Sequence, residues 1–262
     1  MASEHASPVG SRIRIRIKGP DFRLADQAAA EVTQCVTLTG VRVFGPFPLP
    51  STVEALRASA SHDEFRCHHR HLEVIEPKAT TIDALRRLNL PAGIEIAVVA
   101  PADPATPAAP APGEAPAKRN RRRDNRVAAM QFLYSWETQR HGDLVTALYD
   151  FFSKQTQERD YYAFAEELVH GVLRDLALID EVIARFAQNW AFERVAKVDL
   201  ATLRLAIFEL MRRTDIPPVV TINEAIDIAK VFSTEESKRF VNGILDRYKA
   251  TLGRDPRKAE GA

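Results

Sequence analysis

The chain has 262 residues, with 36 basic and 35 acidic side chains and a formal net charge of +1. Its length predicts two domains at about 100–200 residues each, and its near-zero charge excludes a uniformly basic nucleic-acid coat. No apolar run approaches the ~18 residues that a membrane span needs, and the polar start lacks the apolar core of a signal peptide. Cys35 and Cys67 are the only two cysteines and make no disulfide framework, so we expect a cytoplasmic protein.

A segment rich in Pro and Ala divides the chain. Residues 101–117 contain six Pro and seven Ala, a composition that favours a semi-rigid, extended linker over a packed structure. We therefore predict a first domain at residues 1–100 and a second at residues 118–262. Charge is concentrated where the second domain begins: residues 118–126 hold six basic side chains and one acidic one, whereas residues 127–262 hold 18 basic and 21 acidic.

The first domain has the pattern of an α+β fold. Arg and Ile alternate strictly over residues 12–17, which predicts a half-buried strand with its isoleucines facing the core. The Gly- and Pro-rich residues 45–50 are expected to end the second strand. The elements predicted after the first strand are a helix at 24–38, strands at 41–43 and 71–76, a helix at 80–88 and a strand at 94–99. This order is the ferredoxin-like split βαβ pattern, a four-stranded sheet covered by two helices.

Several segments of this domain resemble the NusE family. They are RIRIRIK, FRLADQAAAEV, TGVRVFGPFPLP, HLEVIEP and TIDALRRLNLPAGIEI. NusE is a small-subunit ribosomal protein that doubles as a transcription antitermination factor. The resemblance covers about residues 11–99 and departs from the family between Pro50 and His68, where the family usually carries a longer hairpin with a basic, hydrophobic tip.

Three side chains in this region invite a metal interpretation. Cys67, His69 and His71 alternate along a predicted strand and could share one face of it. Zinc needs three or four ligands with converging geometry, and this spacing fits none of the usual zinc patterns. We therefore favour a polar strand and expect no metal and no other cofactor.

The second domain is predicted to be an all-α helical bundle. From residue 125 onward, apolar residues repeat with a helical period, and the helix at residues 198–211 is apolar on most sides, which predicts a central position. The other periodic stretches are 127–134, 144–152, 162–173 and 178–190.

Three further features concern the last helices. Thr221 stands three residues before Glu224, and Ser233 three before Glu236, so both pairs predict capping boxes at helix starts. Gly243 lies inside the last helix, where glycine costs about 1 kcal/mol relative to Ala. We therefore expect a close helix crossing or backbone approach there.

The second domain resembles the NusB family of all-helical antitermination factors over about residues 119–250. The segments that carry the resemblance are RRRDNRVAAMQFLYSWE, FAEELVHGVL, VDLATLRLAIFELMRRTDIPPVVTINEAIDIAKVF and ESKRFVNGILD. NusB is the partner of NusE, so the chain resembles both halves of one heterodimer. The resemblance implies that the two domains dock on each other within one polypeptide.

The paired resemblance implies RNA binding. NusB and NusE together bind boxA, a short single-stranded element in nascent ribosomal RNA transcripts, within an RNA polymerase antitermination complex that includes NusA and NusG. The residues agree with this, because phosphates attract dense cations and unpaired bases stack on aromatic rings. The alternative for the basic cluster is a solvated or disordered tail. Under the RNA interpretation, the RNA-binding residues expected in the basic cluster are Lys118, Arg119, Arg121, Arg122, Arg123 and Arg126.

The resemblance adds residues outside the cluster. Phe240 matches an aromatic position beside the RNA path in the NusB family, and its alternative is core packing with Ile244 one turn later. The other RNA-side positions implied by the resemblance are Phe186, Glu236, Lys238 and Arg239. Positions implied at the interface between the domains are Ala84, Tyr134 and Asp199.

Other functions remain open at this stage. One is a structural protein of the small ribosomal subunit with an appended NusB domain, which the short hairpin argues against; another is a regulator that reads a different RNA. RNA cytosine methyltransferases also carry a NusB-like domain, but they add a large cofactor-binding domain. The sequence contains no HExxH, Walker loop, GxGxxG or CxxC motif, so we expect a binding protein and not an enzyme.

Overall fold

The computed structural model describes residues 12–55, 64–99, 121–139, 143–155, 157–187 and 195–260. Contacts divide the chain into two compact units, unit 1 at Met1–Pro110 and unit 2 at Ala111–Ala262. Within the described ranges, no helix has the length and apolar character that crossing a membrane requires.

Unit 1 is a four-stranded antiparallel sheet with two helices. The strand order is β2-β3-β1-β4, which confirms the predicted α+β split βαβ fold. The elements are β1 (Arg12–Gly19), α1 (Phe22–Leu38), β2 (Arg42–Ala55), β3 (Glu64–Ile75), α2 (Ala79–Arg87) and β4 (Glu95–Val99).

The core of unit 1 lies between the sheet and α1. Ile15 and Ile17 of β1 are fully buried, as their alternation with arginines predicts, and they pack with Leu72 and Val74 of β3. Because alternate residues of a strand point to opposite faces, the basic side chains of β1 lie on the other face of the sheet. There, Arg14 pairs with Glu73 at 2.9 Å.

The second strand does not end where the sequence predicts. β2 continues through the Gly-Pro segment as far as Ala55, with shifts of register between Phe44 and Phe47 and between Leu49 and Thr52. Proline cannot donate a backbone hydrogen bond, so it is tolerated in an edge strand and at bulges. β2 is an edge strand of this sheet, and the prolines that suggested a stop are accommodated for that reason.

The Cys/His cluster belongs to β3 and is engaged in ordinary strand contacts. Cys67 is buried, and the Nε2 atom of His69 lies 2.8 Å from the hydroxyl of Thr52 on β2. His71 lies 3.6 Å from a carboxylate oxygen of Glu73. Among the residues that the structure describes, no group of three or more potential ligands converges on a metal position.

Unit 2 is helical throughout its described part, as predicted. Its elements are α3 (Arg121–Gln139), α4 (Leu144–Ser153), a short 3-10 helix (Arg159–Tyr162), α5 (Ala163–Arg174), α6 (Leu176–Phe186), α7 (Lys197–Arg212), α8 (Pro218–Phe232) and α9 (Glu235–Lys249). Every residue of α7 from 201 to 210 is buried, and this helix contacts α3, α5, α6, α8 and α9. The prediction that it lies at the centre of the domain is confirmed.

Neither predicted capping box forms as expected. α8 already begins at Pro218, because proline at the first helical position is preorganised for a helix. Thr221 therefore lies inside α8, where its hydroxyl donates to Glu209 at 2.9 Å. At α9 the cap is Thr234, one residue after Ser233, and its side chain accepts a hydrogen bond from the backbone N–H of Ser237 at 3.1 Å.

The close helix approach expected at Gly243 occurs at a different glycine. A Cβ atom added to Gly243 would meet only the Arg247 guanidinium, at 3.7 Å. A Cβ atom added to Gly171 in α5 would overlap the ring of Phe208 in α7. Gly171 therefore allows α5 to pack closely on the central helix.

The two glycines predict opposite effects of the same substitution. Gly171→Ala should destabilise unit 2 by about 1–3 kcal/mol or more, because the buried Phe208 ring must move. Gly243→Ala should stabilise it by up to about 1 kcal/mol, because alanine favours the helix and has room. Both tryptophans, Trp136 and Trp190, belong to unit 2, so urea unfolding followed by tryptophan fluorescence reports on this unit in the intact chain. If Gly171→Ala leaves the free energy of unfolding unchanged, the close packing of α5 on Phe208 is contradicted.

Candidate RNA-binding surface

The described part of the basic cluster forms the first two turns of α3. Arg121 and Arg122 are exposed, Arg123 is partly buried and Arg126 is 5% exposed. Lys118 and Arg119 lie outside the described residues. The cluster is therefore divided between surface arginines in the first turn and a core arginine in the second.

A buried asparagine fixes this first turn against the start of α5. The Asn125 side chain is fully buried, and its amide N–H groups donate to the carbonyl of Arg121 at 2.8 Å and to that of Tyr161 at 3.0 Å. Its amide oxygen accepts from the N–H of Ala165 at 2.9 Å. The Tyr161 hydroxyl also donates to Asp124 at 2.6 Å. These bonds satisfy buried polar groups, which would be costly to leave unpaired, and they hold the two helix starts together.

The surface arginines have different neighbours. Arg121 donates to the carbonyls of Asp160 and Tyr161, and its guanidinium lies 5.2 Å from the Tyr161 ring centroid. Arg123 pairs with Asp227 of α8 at 3.1 Å, in a contact where both side chains are more than a third exposed. Such exposed pairs are worth about 0–1 kcal/mol and are screened by salt, so they can exchange for a phosphate.

Arg126 differs from the expectation of an RNA contact. Its guanidinium donates two hydrogen bonds to the carboxylate of Glu209 in α7, at 2.7 and 2.9 Å, and both side chains are almost fully buried. A planar guanidinium matches a carboxylate in this two-bonded geometry. Arg126 therefore joins α3 to the central helix, and we leave it out of the RNA-binding surface.

The other residues expected to contact RNA, on α9 and α6, are also divided between exposed and buried positions. Glu236 and Arg239 are exposed and Lys238 is partly exposed, near the start of the helix. Phe240 is 6% exposed, so its ring packs in the core, as its alternative interpretation expects. Phe186 is partly buried at the end of α6, with its ring 5.8 Å from that of Tyr248 in α9 and the Arg185 guanidinium 5.7 Å from its centroid.

The three positions expected at the domain interface also differ in exposure. Ala84 is partly exposed on α2. Tyr134 and Asp199 are only 1% and 3% exposed. Tyr134 and Asp199 are therefore buried residues of unit 2, and their place at an interface between the domains stays a prediction.

Three residues of this arrangement were missed by sequence reasoning: Asn125, Tyr161 and Glu209. Glu209 carries a signal that could have identified it, because it is a carboxylate between the apolar residues 205–208 and 210–211 of α7, and a buried carboxylate requires a partner. Asn125 appears in sequence as one more polar residue among arginines. Its role depends on the position of α5, which the local sequence does not encode.

Comparison with known proteins shows which protein family each unit matches. The model of the NusB family matches residues 123–250, and the model of ribosomal protein S10p/S20e matches residues 14–99. The transcription antitermination protein NusB of Citrifermentans bemidjiense is 44% identical over 138 residues, which are 50% of this chain and 95% of that protein. Its counterpart from Sorangium cellulosum is 41% identical over 134 residues, 51% of this chain and 94% of that protein.

The chain was also compared with solved structures. T. maritima NusB is 39% identical, covers 50% of this chain and 91% of its own, and gives a TM-score of 0.46. The chain belongs to the NusB family through unit 2. It combines that unit with a NusE-like unit of the ribosomal S10p/S20e type, and this confirms the fusion that the sequence predicted.

Two arginines of α3 predict very different losses of stability. Arg126→Ala should destabilise unit 2 by about 3–5 kcal/mol, because it leaves the Glu209 carboxylate buried without its cation. Arg123→Ala removes the same charge from the same helix and should cost less than about 1 kcal/mol, because its pair is exposed. Tryptophan-monitored urea unfolding measures both variants, and equal losses would show that the buried pair does not hold α3 to α7.

Proposed function

We propose that the chain is a transcription antitermination factor whose unit 2 binds single-stranded RNA through the first turn of α3. The observation that carries the proposal is the placement of Arg121, Arg122 and Arg123 as three consecutive cations at the start of a helix. Membership of the NusB family and the antitermination names of its relatives support the same function.

Electrostatics argue that these charges serve a ligand and not the helix. A helix N-terminus carries a partial positive charge, so cations there are unfavourable by about 0.3–1 kcal/mol each. Within the first turn, Asp124 is the only acidic residue. An RNA phosphate at this position would be attracted both by the arginines and by the helix terminus.

A second group of residues completes the proposed RNA surface. Lys238 and Arg239 add exposed or partly exposed cations near the start of α9, and Phe186 supplies a partly exposed ring near the opposite end of that helix. Stacking on aromatic rings is available to unpaired bases, which favours single-stranded RNA as the ligand. Glu236, exposed beside the cations, would weaken binding by repulsion of phosphate.

The proposed RNA is a boxA-type element in nascent ribosomal RNA transcripts. Bound there, the chain would help to assemble an RNA polymerase antitermination complex together with NusA and NusG. The proposed activity is binding alone, without catalysis. Unit 1 would take the place of a separate NusE and dock on unit 2 of the same chain.

The RNA proposal predicts a loss of both affinity and salt dependence. Changing Arg121, Arg122 and Arg123 together to Ala should weaken binding of boxA RNA. The slope of log affinity against log salt should also flatten by up to about 2, because each phosphate contact to a single strand releases about 0.7 counterions. Filter binding across a salt series measures both quantities.

A matched control removes the same charge elsewhere on unit 2. Arg174 is exposed at the end of α5, and Arg257 and Lys258 are exposed near the C-terminal end of the described chain. Their triple alanine variant should keep nearly the full slope. If the two triple variants behave alike, net charge and not the start of α3 explains the binding.

The docking proposal predicts that the units stay together without their tether. A linker of 17 residues confers an effective concentration of about the millimolar range, which would mask a weakened interface. A protease site inserted within residues 101–117 removes this effect. After cleavage the wild-type halves should co-elute in gel filtration at micromolar concentration, whereas Ala84→Asp halves should separate, because a desolvated charge without a partner costs several kcal/mol.

The control for this experiment lies on the same helix. Ala79 is exposed at the first position of α2, and Ala79→Asp introduces the same charge at the helix start. Its halves should co-elute like wild type. Separation of the wild-type halves would mean that the units are joined only by the linker.

A further inference from the structure

One phenylalanine of unit 2 lies among three guanidinium groups. The centroid of the Phe164 ring, on the first turn of α5, is 4.4 Å from the Arg122 guanidinium carbon, 5.1 Å from that of Arg213 and 5.5 Å from that of Arg126. All three distances are within the roughly 6 Å over which a ring face attracts a cation.

Two of these three arginines are already neutralised. Arg126 is held by the buried Glu209 carboxylate. Arg213 donates two hydrogen bonds to Asp215, at 2.7 and 2.9 Å, and this contact, more than any other, lowers the pKa of Asp215. The guanidinium of Arg213 also lies 2.7 Å from a carboxylate oxygen of Glu167.

Arg122 is the exception in this group. It is exposed and stacks on the ring of Phe164; among the described residues it forms no hydrogen bond or ion pair. Asp215 is near enough for the charge of Arg122 to affect its pKa slightly, but that carboxylate is already engaged by Arg213. Arg122 therefore has an aromatic support on one side and N–H donors that remain available.

The ring itself is held firmly. Ala165, the next residue, donates its backbone N–H to the buried Asn125 amide, which also binds the carbonyls of Arg121 and Tyr161. The first turn of α5 is thus tied to the first turn of α3. Phe164 and Arg122 lie on these two tied turns, so the ring presents a fixed surface to a long side chain.

We propose that Phe164 is a positioning residue that holds the Arg122 guanidinium against its ring, with the N–H edge directed to an RNA phosphate. This inference rests on the proposed RNA binding by α3 and adds to it a residue that does not itself contact RNA. A free arginine loses rotamer freedom when it binds a phosphate. Stacking on an aromatic face orders the guanidinium beforehand and leaves its donors free.

The test is a double-mutant cycle on the full-length chain with boxA RNA. Phe164→Leu keeps an apolar side chain and removes the ring face, and should weaken RNA binding about two- to fivefold, the range expected for an exposed cation–π contact. Phe164→Tyr keeps the face and should bind as wild type does. In an Arg122→Ala background, Phe164→Leu should have no further effect, because there is no guanidinium left to position.

Tyr149 offers a matched control. The Arg159 guanidinium lies 5.1 Å from the Tyr149 ring, but Arg159 is also held by Glu166 at 2.8 Å. Tyr149→Leu therefore removes a similar stack whose arginine is already neutralised, and RNA affinity should not change. Tryptophan-monitored unfolding verifies that each variant is folded at the binding temperature. If Phe164→Leu is not folded there, Phe164→Met takes its place.

The outcomes separate this inference from the function on which it rests. If Arg122→Ala binds RNA as tightly as wild type, the proposed arginine contact itself is refuted. If Arg122→Ala weakens binding but the leucine variant does not, Phe164 has no positioning role. If the leucine variant weakens binding equally with and without Arg122, Phe164 acts independently of that arginine, and the inference is overturned.

Discussion

A buried ion pair joins two of the main helices of unit 2. Arg126 and Glu209 connect α3 to the central helix α7, and the Thr221 hydroxyl of α8 donates to the same carboxylate. Removing two charges from water is expensive, so such a pair is tolerated only when its hydrogen bonds are well made. Here Arg126 donates two short hydrogen bonds to Glu209, and the pair connects α3 to α7. Arg122 lies one helical turn earlier on nearly the same side, where an aromatic ring replaces the carboxylate.

This arrangement gives neighbouring arginines of one short segment different physical roles. In sequence, residues 121–126 are a dense run of positive charge. In the structure, Arg126 is buried in the core and Arg121 donates to carbonyl groups of the 3-10 helix. Arg123 forms an exposed ion pair, and Arg122 stacks on the Phe164 ring. The surface arginines can exchange their present partners for a phosphate, because contacts exposed to solvent contribute little free energy. The number of charges in a run is thus a poor measure of how many can meet a phosphate.

The sequence was sufficient for the fold class and for the central position of α7, because both follow from the periodicity of apolar residues. It was insufficient where tertiary contacts override a local signal. Thr221 resembles a helix cap, yet Pro218 had already started the helix. Gly243 resembles a crossing point, yet the crossing occurs at Gly171, which is identified only by Phe208 on another helix. The site was predicted in part for the same reason: charge can be read from sequence, but the partner of each charge cannot.

The prolines of β2 have a consequence for how unit 1 meets other polypeptides. An edge strand normally offers a row of unused backbone donors and acceptors, which another strand can recognise and extend. Pro46, Pro48 and Pro50 have no N–H to offer, and the shifts of register around them interrupt the spacing that a partner strand would need. This margin of the sheet therefore resists strand addition, including addition of the same edge from a second copy of the chain.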